Sequence, residues 1–386
     1  MPVSTPSSLP DLVREQLATV LDPEIRRPIT EIDMVESVLV DPNAVARITI
    51  LLTVSGCPMR DKLTEDVTGA ALRVDGVRDV AITFGVMTDE QRKALQTKLR
   101  GGAPAKENKF TKAGSLTRVF AVASGKGGVG KSAVTTNLAV GLAKQGLKVG
   151  VLDADIYGHS IPVMFGVADE RPTRVEEMIM PITAHGVRLI SIGMLKPKRE
   201  QVVAWRGPML DKALAQMLSD VYWGDLDILL LDLPPGTGDV AISVGQQLGS
   251  GTEVLVVTTP QDSAAEVAER AGTMASMLEQ KVIGIVENMS YLVCPHCGPE
   301  HKLEVFGSGG GERVASTLTT RLGYDIPVLA HIPLDPRLGA GADAGMPLVL
   351  SDPDSPAALE LARVAGRLAG RSRGLLGRRL GLTPVS

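Results

Sequence analysis

Cysteine is scarce in this chain. Three in 386 residues are too few for a disulfide framework and suit a reducing cytoplasm, where close pairs more often bind metal or do redox chemistry. Aromatic residues are few, at 3%. No run of about 18 apolar residues is present to span a bilayer. The opening MPVSTPSSLPDLVREQ has no basic region followed by an apolar one, so no secretory signal is expected. Neither sign of charge dominates: a net charge of -4 gives no general reason to expect nucleic-acid binding. What remains, 44% hydrophobic and 22% charged, describes a globular protein expected in the cytoplasm. At about 100 to 200 residues per domain, the length suggests two or three domains.

The stretch Gly125-Lys126-Gly127-Gly128-Val129-Gly130-Lys131-Ser132 satisfies G-x-x-x-x-G-K-[ST]. Its glycines let backbone N–H groups close around phosphate oxygens, its last lysine reaches the β/γ-phosphates, and its hydroxyl binds Mg²⁺. Lys131 and Ser132 take those two roles. The apolar run Val119 to Ala123 precedes the loop, and Val134, Leu138 and Leu142 recur at helical spacing after it, up to Gly146. A second apolar run, Val149 to Leu152, follows, so the loop joins strand to helix in a βαβ unit. Lys126 is additional to what a phosphate loop needs. The KGGVGK form resembles the deviant Walker A loop of the SIMIBI class of NTPases, and the resemblance implies that Lys126 reaches a partner's nucleotide across a homodimer with two facing ATP sites. The competing reading of Lys126 is a solvated loop charge.

Residues 9–87 read as a small α/β domain with helices at 9–21 and 60–73 and strands at 34–40, 45–54 and 77–87. Residues 88–117, which include GGAPAKENKFTKAGS, read as a flexible linker. Over 118–370, apolar strands at 119–123, 148–152, 228–231, 254–258, 282–286 and 328–332 alternate with amphipathic helices. This predicts an α/β P-loop NTPase domain with a mostly parallel sheet covered by helices on both faces. Residues 371–386 form a basic tail.

Asp232 closes the run Asp227 to Asp232 and precedes LPPGTG; a carboxylate at the end of a buried strand beside the phosphate loop can hold Mg²⁺ through water. The competing reading is a strand-end capping acid. Gly236 is placed to bring its N–H to a γ-phosphate, as switch segments do. In SIMIBI NTPases the position of DADIYGHS is switch I, and the resemblance assigns Asp153 or Asp155 to orienting the attacking water and Mg²⁺. It also assigns Asn288 to adenine, an amide being able to donate and accept at once. The segment Ile332-Pro333-Leu334-Asp335 would supply the other wall of the base pocket.

Cys294-Pro295-His296-Cys297 places two thiolates at the spacing of one face of a metal or cluster, whereas a closed site wants about four ligands. In a two-fold dimer the symmetry brings a second pair, which favours a bridging [4Fe-4S] cluster. A zinc site completed by His296 or His301, a thioredoxin-like dithiol and an incidental pair compete. The ordered set GKGGVGKS, DADIYG, DLPPGTGD, VENMSY, CPHCG and HIPLDP resembles the Mrp/ApbC family of iron-sulfur cluster carrier ATPases. The resemblance implies a protein that binds ATP and Mg²⁺, carries a cluster and delivers it to apoproteins alongside cluster-assembly factors. His159 departs from it, many members having proline there. Asp22-Pro23-Glu24 and Thr53 to Pro58 resemble the metal-sulfur cluster biosynthesis domain often fused to these ATPases. Cys57, just before a predicted helix, reads either as a transient cluster or iron ligand or as a small buried hydrophobe. A positioning switch ATPase of the MinD/ParA type is the rival function. Its support is the shared ATPase core and the basic tail with Arg371, Arg373, Arg378 and Arg379, but Gly374, Gly377 and Gly381 weaken any membrane-lying helix there, and a frayed end without stable membrane association is expected.

Overall fold

The computed structural model describes residues 8–23, 25–53, 60–99, 108–111, 114–155, 158–195, 207–294 and 296–371. The expectations for Cys57 and for the basic tail beyond Arg371 lie outside them. Contacts divide the chain into two compact units, 1–105 with 173–180, and 106–172 with 181–386.

In the first unit the order is α1 (Leu9–Leu17), β1 (Val35–Val40), β2 (Val45–Leu52), α2 (Arg60–Ala71), β3 (Asp79–Val86) and α3 (Asp89–Leu99). β2 is central, antiparallel to β1 and parallel to β3. Val13 and Leu17 of α1 and Leu63 and Val67 of α2 are buried, as helical spacing directs. α3 corrects the linker reading, which began at residue 88. The Thr88 hydroxyl accepts the Gln91 N–H at 3.2 Å while the Gln91 side chain accepts the Thr88 N–H at 2.8 Å. This reciprocal cap starts a helix that buries Leu95 and Leu99.

The second unit begins with β4 (Arg118–Ser124), α4 (Lys131–Lys144), β5 (Val149–Asp153) and α5 (Ile161–Met164). The hairpin β6 (Arg174–Val175) and β7 (Met178–Ile179) that comes next groups with the first unit, so the two units are not simply consecutive in sequence. β8 (Ile182–Ala184), β9 (Val187–Ser191), α6 (Gly207–Ser219), β10 (Ile228–Asp232), α7 (Asp239–Leu248), β11 (Thr252–Thr258) and α8 (Asp262–Met277) follow. The unit ends with β12 (Lys281–Asn288), β13 (Leu292–Cys294), β14 (Gly298–Leu303), α9 (Gly310–Leu322), β15 (Val328–Ile332), α10 (Pro336–Asp343), α11 (Leu348–Ser351) and α12 (Pro356–Gly370).

Eight strands form one sheet in the order β15-β12-β11-β4-β10-β5-β9-β8, parallel throughout except for β8 at the edge. Phe120 and Val122 of β4 pack with Val134, Leu138 and Leu142 of α4 and Leu361 and Val364 of α12. Ala268 and Ala271 of α8 and Val314 and Leu318 of α9 are buried outside that cluster, so the sheet is covered by two helical layers. The expected mostly parallel NTPase sheet is therefore present. Part of the supposed linker is also docked: Phe110 is 5% exposed and meets the buried Trp223 edge-on at 6.3 Å, while Asn108 Nδ2 donates to the Gln247 carbonyl at 2.9 Å.

Candidate functional site

Parallel strands end together, so the residues that close neighbouring strands share one edge of the sheet. Asp232 on β10 is in register with Asp153 on β5, and Asp153 with Ser191 on β9. All three are fully buried. Lys131, which opens α4, places Nζ 2.6 Å from Asp232 Oδ2, and the Ser132 hydroxyl donates to the same oxygen at 2.6 Å. The Thr135 hydroxyl, one helical turn after Lys131, donates to Asp232 Oδ1 at 2.7 Å. The same hydroxyl also lies 3.0 Å from the Lys131 carbonyl one turn back in the helix. The strand-end acid, the loop lysine and the loop hydroxyl named from sequence are thus in direct contact, and Thr135 joins them.

Asp153 accepts from the Ser191 hydroxyl at 3.0 Å and from the Asp155 N–H at 3.1 Å. Burial, then the neighbouring Asp232, pushes its carboxyl up to about 8, against the opposing pull of Lys131. Asp155 instead turns to the following loop, where Oδ1 accepts the Gly158 N–H at 2.9 Å. The two candidates are therefore separated: Asp153 belongs to the lysine–aspartate cluster and Asp155 shapes the turn. His159 lies against Gly193, where an added Cβ would sit 2.3 Å from the His159 ring. A histidine at this place is accommodated by the absence of a side chain opposite it.

A carboxyl raised in the fold binds its proton more tightly there than in the open chain. Its contribution to stability is full below the unfolded value near 3.8 and is lost as pH rises toward 8. Asp153→Asn therefore is expected to melt higher than the wild type at pH 8, by a few degrees for ~1 kcal/mol or more. The gap should shrink progressively toward pH 5, as thermal denaturation across that range without nucleotide would show; a gap independent of pH would contradict the assignment.

The loop itself is built from close approaches. At Gly125 an added Cβ would lie 2.3 Å from the backbone of Val267 and Ala268, so only glycine lets the loop pass α8. Gly130 has φ +82° and would carry a Cβ 2.2 Å from Asn288 Nδ2. That amide donates to the Val129 carbonyl at 2.9 Å, while Asn288 Oδ1 is buried and has no hydrogen-bond partner among the described residues. Gly127 and Gly128 are exposed, at the entrance to the α4 N-terminus. Lys126 is folded onto its own chain, with Nζ 3.2 Å from Gln261 Oε1 and 3.4 Å from Ser263 Oγ. The Gly236 N–H donates to the Ser124 carbonyl at 2.8 Å and must leave it before it can serve a phosphate. Pro333 is buried directly after β15, where the Ser290 N–H donates to the Ile332 carbonyl at 2.9 Å and the Leu334 N–H to the Tyr291 carbonyl at 2.7 Å.

Cys294 ends β13 and Cys297 precedes β14; Cys294 is partly exposed and Cys297 exposed, both as free thiols. Hydrogen bonds from the His296 N–H, then from Cys297, lower the Cys294 thiol from its ordinary value. Among the described residues the group of His, Cys, Asp and Glu side chains close enough to share one ion is Glu287, Glu312 and His331. His296 and His301 do not complete such a group with the two cysteines.

The family model described as NUBPL iron-transfer P-loop NTPase matches residues 115–369, and that described as iron-sulfur cluster assembly protein matches residues 10–84. The chain belongs to the Mrp/NUBPL family of P-loop NTPases. An iron-sulfur cluster carrier protein of Mycobacterium tuberculosis is 54% identical over 373 residues, covering 97% of this chain and 96% of its own. One from Deinococcus radiodurans is 43% identical over 362 residues, with 94% and 95% covered. A nucleotide-binding protein of Archaeoglobus fulgidus, solved with ADP, is 38% identical with a TM-score of 0.52, covering 62% of this chain and 91% of its own. Among the described residues, no helix of this family member is long and apolar enough to cross a membrane.

Proposed function

We propose that this NTPase binds and hydrolyses ATP, holds a [4Fe-4S] cluster between the cysteine pairs of two chains, and passes it to apoproteins. The observation that carries the reading is the pairing of a complete phosphate-loop cluster with an exposed Cys294/Cys297 hairpin on one unit. The cysteine pair has no obvious purpose in a positioning ATPase and is the feature that discriminates the two readings.

The residues fit the groups they would hold. Lys131 and the N-terminus of α4 would take the β/γ-phosphates, and Asn288 Oδ1, an orphaned buried acceptor, is matched by an exocyclic amine such as that of adenine. Pro333 would form part of the other wall of the base pocket. Mg²⁺ would be held by the Ser132 hydroxyl and, through water, by Asp232, and would neutralise charge on the phosphates. Lys131 and Ser132 both contact Asp232 Oδ2 in this structure. Once they turn to phosphate and ion, Thr135 remains to fix the carboxylate through Oδ1. Asp153 then orients the attacking water, with Asp155 setting the turn behind it. Lys126 leaves Gln261 and Ser263 to reach the partner's nucleotide, a move that breaks only two long hydrogen bonds. The thiolates of Cys294 and Cys297 ligate the cluster, which is cargo, and release it to an acceptor with better-placed thiolates.

Thr135→Val is expected to raise the Mg²⁺ concentration needed for half-maximal turnover about tenfold, the size of one hydrogen bond to a charged group. Thr135→Ser should restore it, and Mg²⁺ titration of ATP hydrolysis for the three proteins is the measurement. The function as a whole is tested by loading the protein with iron and sulfide without oxygen and mixing it with an apoprotein that needs a [4Fe-4S] cluster. Recovery of the acceptor's activity is expected, faster with Mg·ATP than without. No recovery from a fully loaded protein would refute the carrier function.

A further inference from the structure

Residues 287 to 290, Glu-Asn-Met-Ser, join the nucleotide edge to the cysteine hairpin. Asn288 is bonded to the phosphate loop through the Val129 carbonyl. Met289 follows with φ +56°, a left-handed conformation that residues with side chains rarely hold unless their surroundings enforce it. Ser290 is held on the far side, its hydroxyl donating to Glu287 Oε1 at 2.6 Å. Glu287 is 3% exposed, and its other oxygen accepts the Gly311 N–H at 2.6 Å, in the first turn of α9 where the chain returns from the hairpin. One buried carboxylate thus closes the neck of the excursion that carries Cys294 and Cys297.

His331 extends this clasp. It is the cross-strand partner of Glu287, with Nδ1 3.2 Å from Glu287 Oε1 and Nε2 3.0 Å from Glu312 Oε1. The two ring nitrogens face different carboxylates, so the imidazole bridges them and the trio forms a tie between β12, β15 and α9 rather than a tripod around one ion.

We propose that Glu287 is a positioning residue for the cysteine hairpin, which makes the setting of Cys294 and Cys297 respond to nucleotide engaged at Asn288 and the phosphate loop. The proposal rests on the nucleotide and cysteine assignments above. Adjacent strand residues point to opposite faces, so Asn288 contacts the loop while Glu287 grips the hairpin's two ends, and any shift of β12 moves both. The constrained Met289 lies between contact and clasp, so displacement at Asn288 reaches Ser290 instead of being absorbed by slack chain.

Hydrogen–deuterium exchange on the full-length chain, with and without Mg·ADP, tests it on wild type, Glu287→Ala and Glu287→Gln. In the wild type Mg·ADP should slow exchange at residues 125–132 and also, at least ~3-fold, at 290–311. Glu287→Ala should keep the first response and lose the second, and its Cys294 and Cys297 should alkylate faster, at a rate indifferent to Mg·ADP. Glu287→Gln, retaining one acceptor oxygen, should fall between. If Glu287→Ala does not fold, Ser290→Ala removes one bond of the clasp and should show the same pattern at smaller amplitude. A wild-type hairpin that ignores Mg·ADP while the phosphate loop responds, or a Glu287→Ala hairpin that responds like the wild type, overturns the proposal. A phosphate loop that does not respond in the wild type overturns the nucleotide assignment instead, and the coupling with it.

Discussion

Lys131→Ala is expected to lower affinity for Mg·ADP by about 100-fold or more, the scale of removing one partner from a buried, hydrogen-bonded charge pair. The Lys131 ammonium is 6% exposed and lies 2.6 Å from a carboxylate that is wholly buried. Its loss leaves Asp232 and Asp153 side by side without the Lys131 ammonium, so the nucleotide-free protein should also melt lower. Lys126→Ala provides the contrast. Its ammonium makes only two long contacts at the start of α8, so nucleotide affinity should stay near that of the wild type while turnover falls. Calorimetric titration with Mg·ADP, followed by ATP hydrolysis at saturation, separates the two variants. Wild-type affinity in Lys131→Ala would remove the assignment of the phosphate site.

How much of this was readable in advance depends on how local the determinant is. The phosphate loop, Asp232 at the end of ILLLD and the two cysteines are legible because short segments fix them. Thr135 was within reach, since a residue four positions after Lys131 faces the same side of a helix. Ser191 was not, because only the register of β9 against β5 brings it to Asp153. Glu287 is hidden for a similar reason: its partners Gly311 and His331 are 24 and 44 residues away. α3 is faint in the sequence because Leu95 and Leu99 are set among mostly charged and polar neighbours, although the Thr88/Gln91 cap announces it. The edge strand β8, three residues long, is too short for alternation to show. The separation of Asp153 from Asp155 needed the loop, where the Gly158 N–H takes the second carboxylate.

Cys294→Ala and Cys297→Ala are each expected to abolish retention of the cluster and to shift the loaded protein from dimer toward monomer. Each chain offers a partly exposed and an exposed thiol three positions apart, and only Cys57 besides. A [4Fe-4S] cluster wants four thiolates, so on the proposed reading a single hairpin would hold half a site and a two-fold dimer would supply the rest. Removing one thiol from each chain deletes two of the four ligands at once, and the cluster ceases to staple the chains because it binds only the paired state. The hydrogen bonds that lower the Cys294 thiol make its thiolate easier to form when iron arrives. Iron and sulfide analysis with sedimentation, on protein purified and loaded without oxygen, should give about four irons per dimer for the wild type and for His296→Ala. Zinc retained stoichiometrically by monomers, or iron that depends on His296 as strongly as on the cysteines, would place the metal within one chain and dismantle the bridging site.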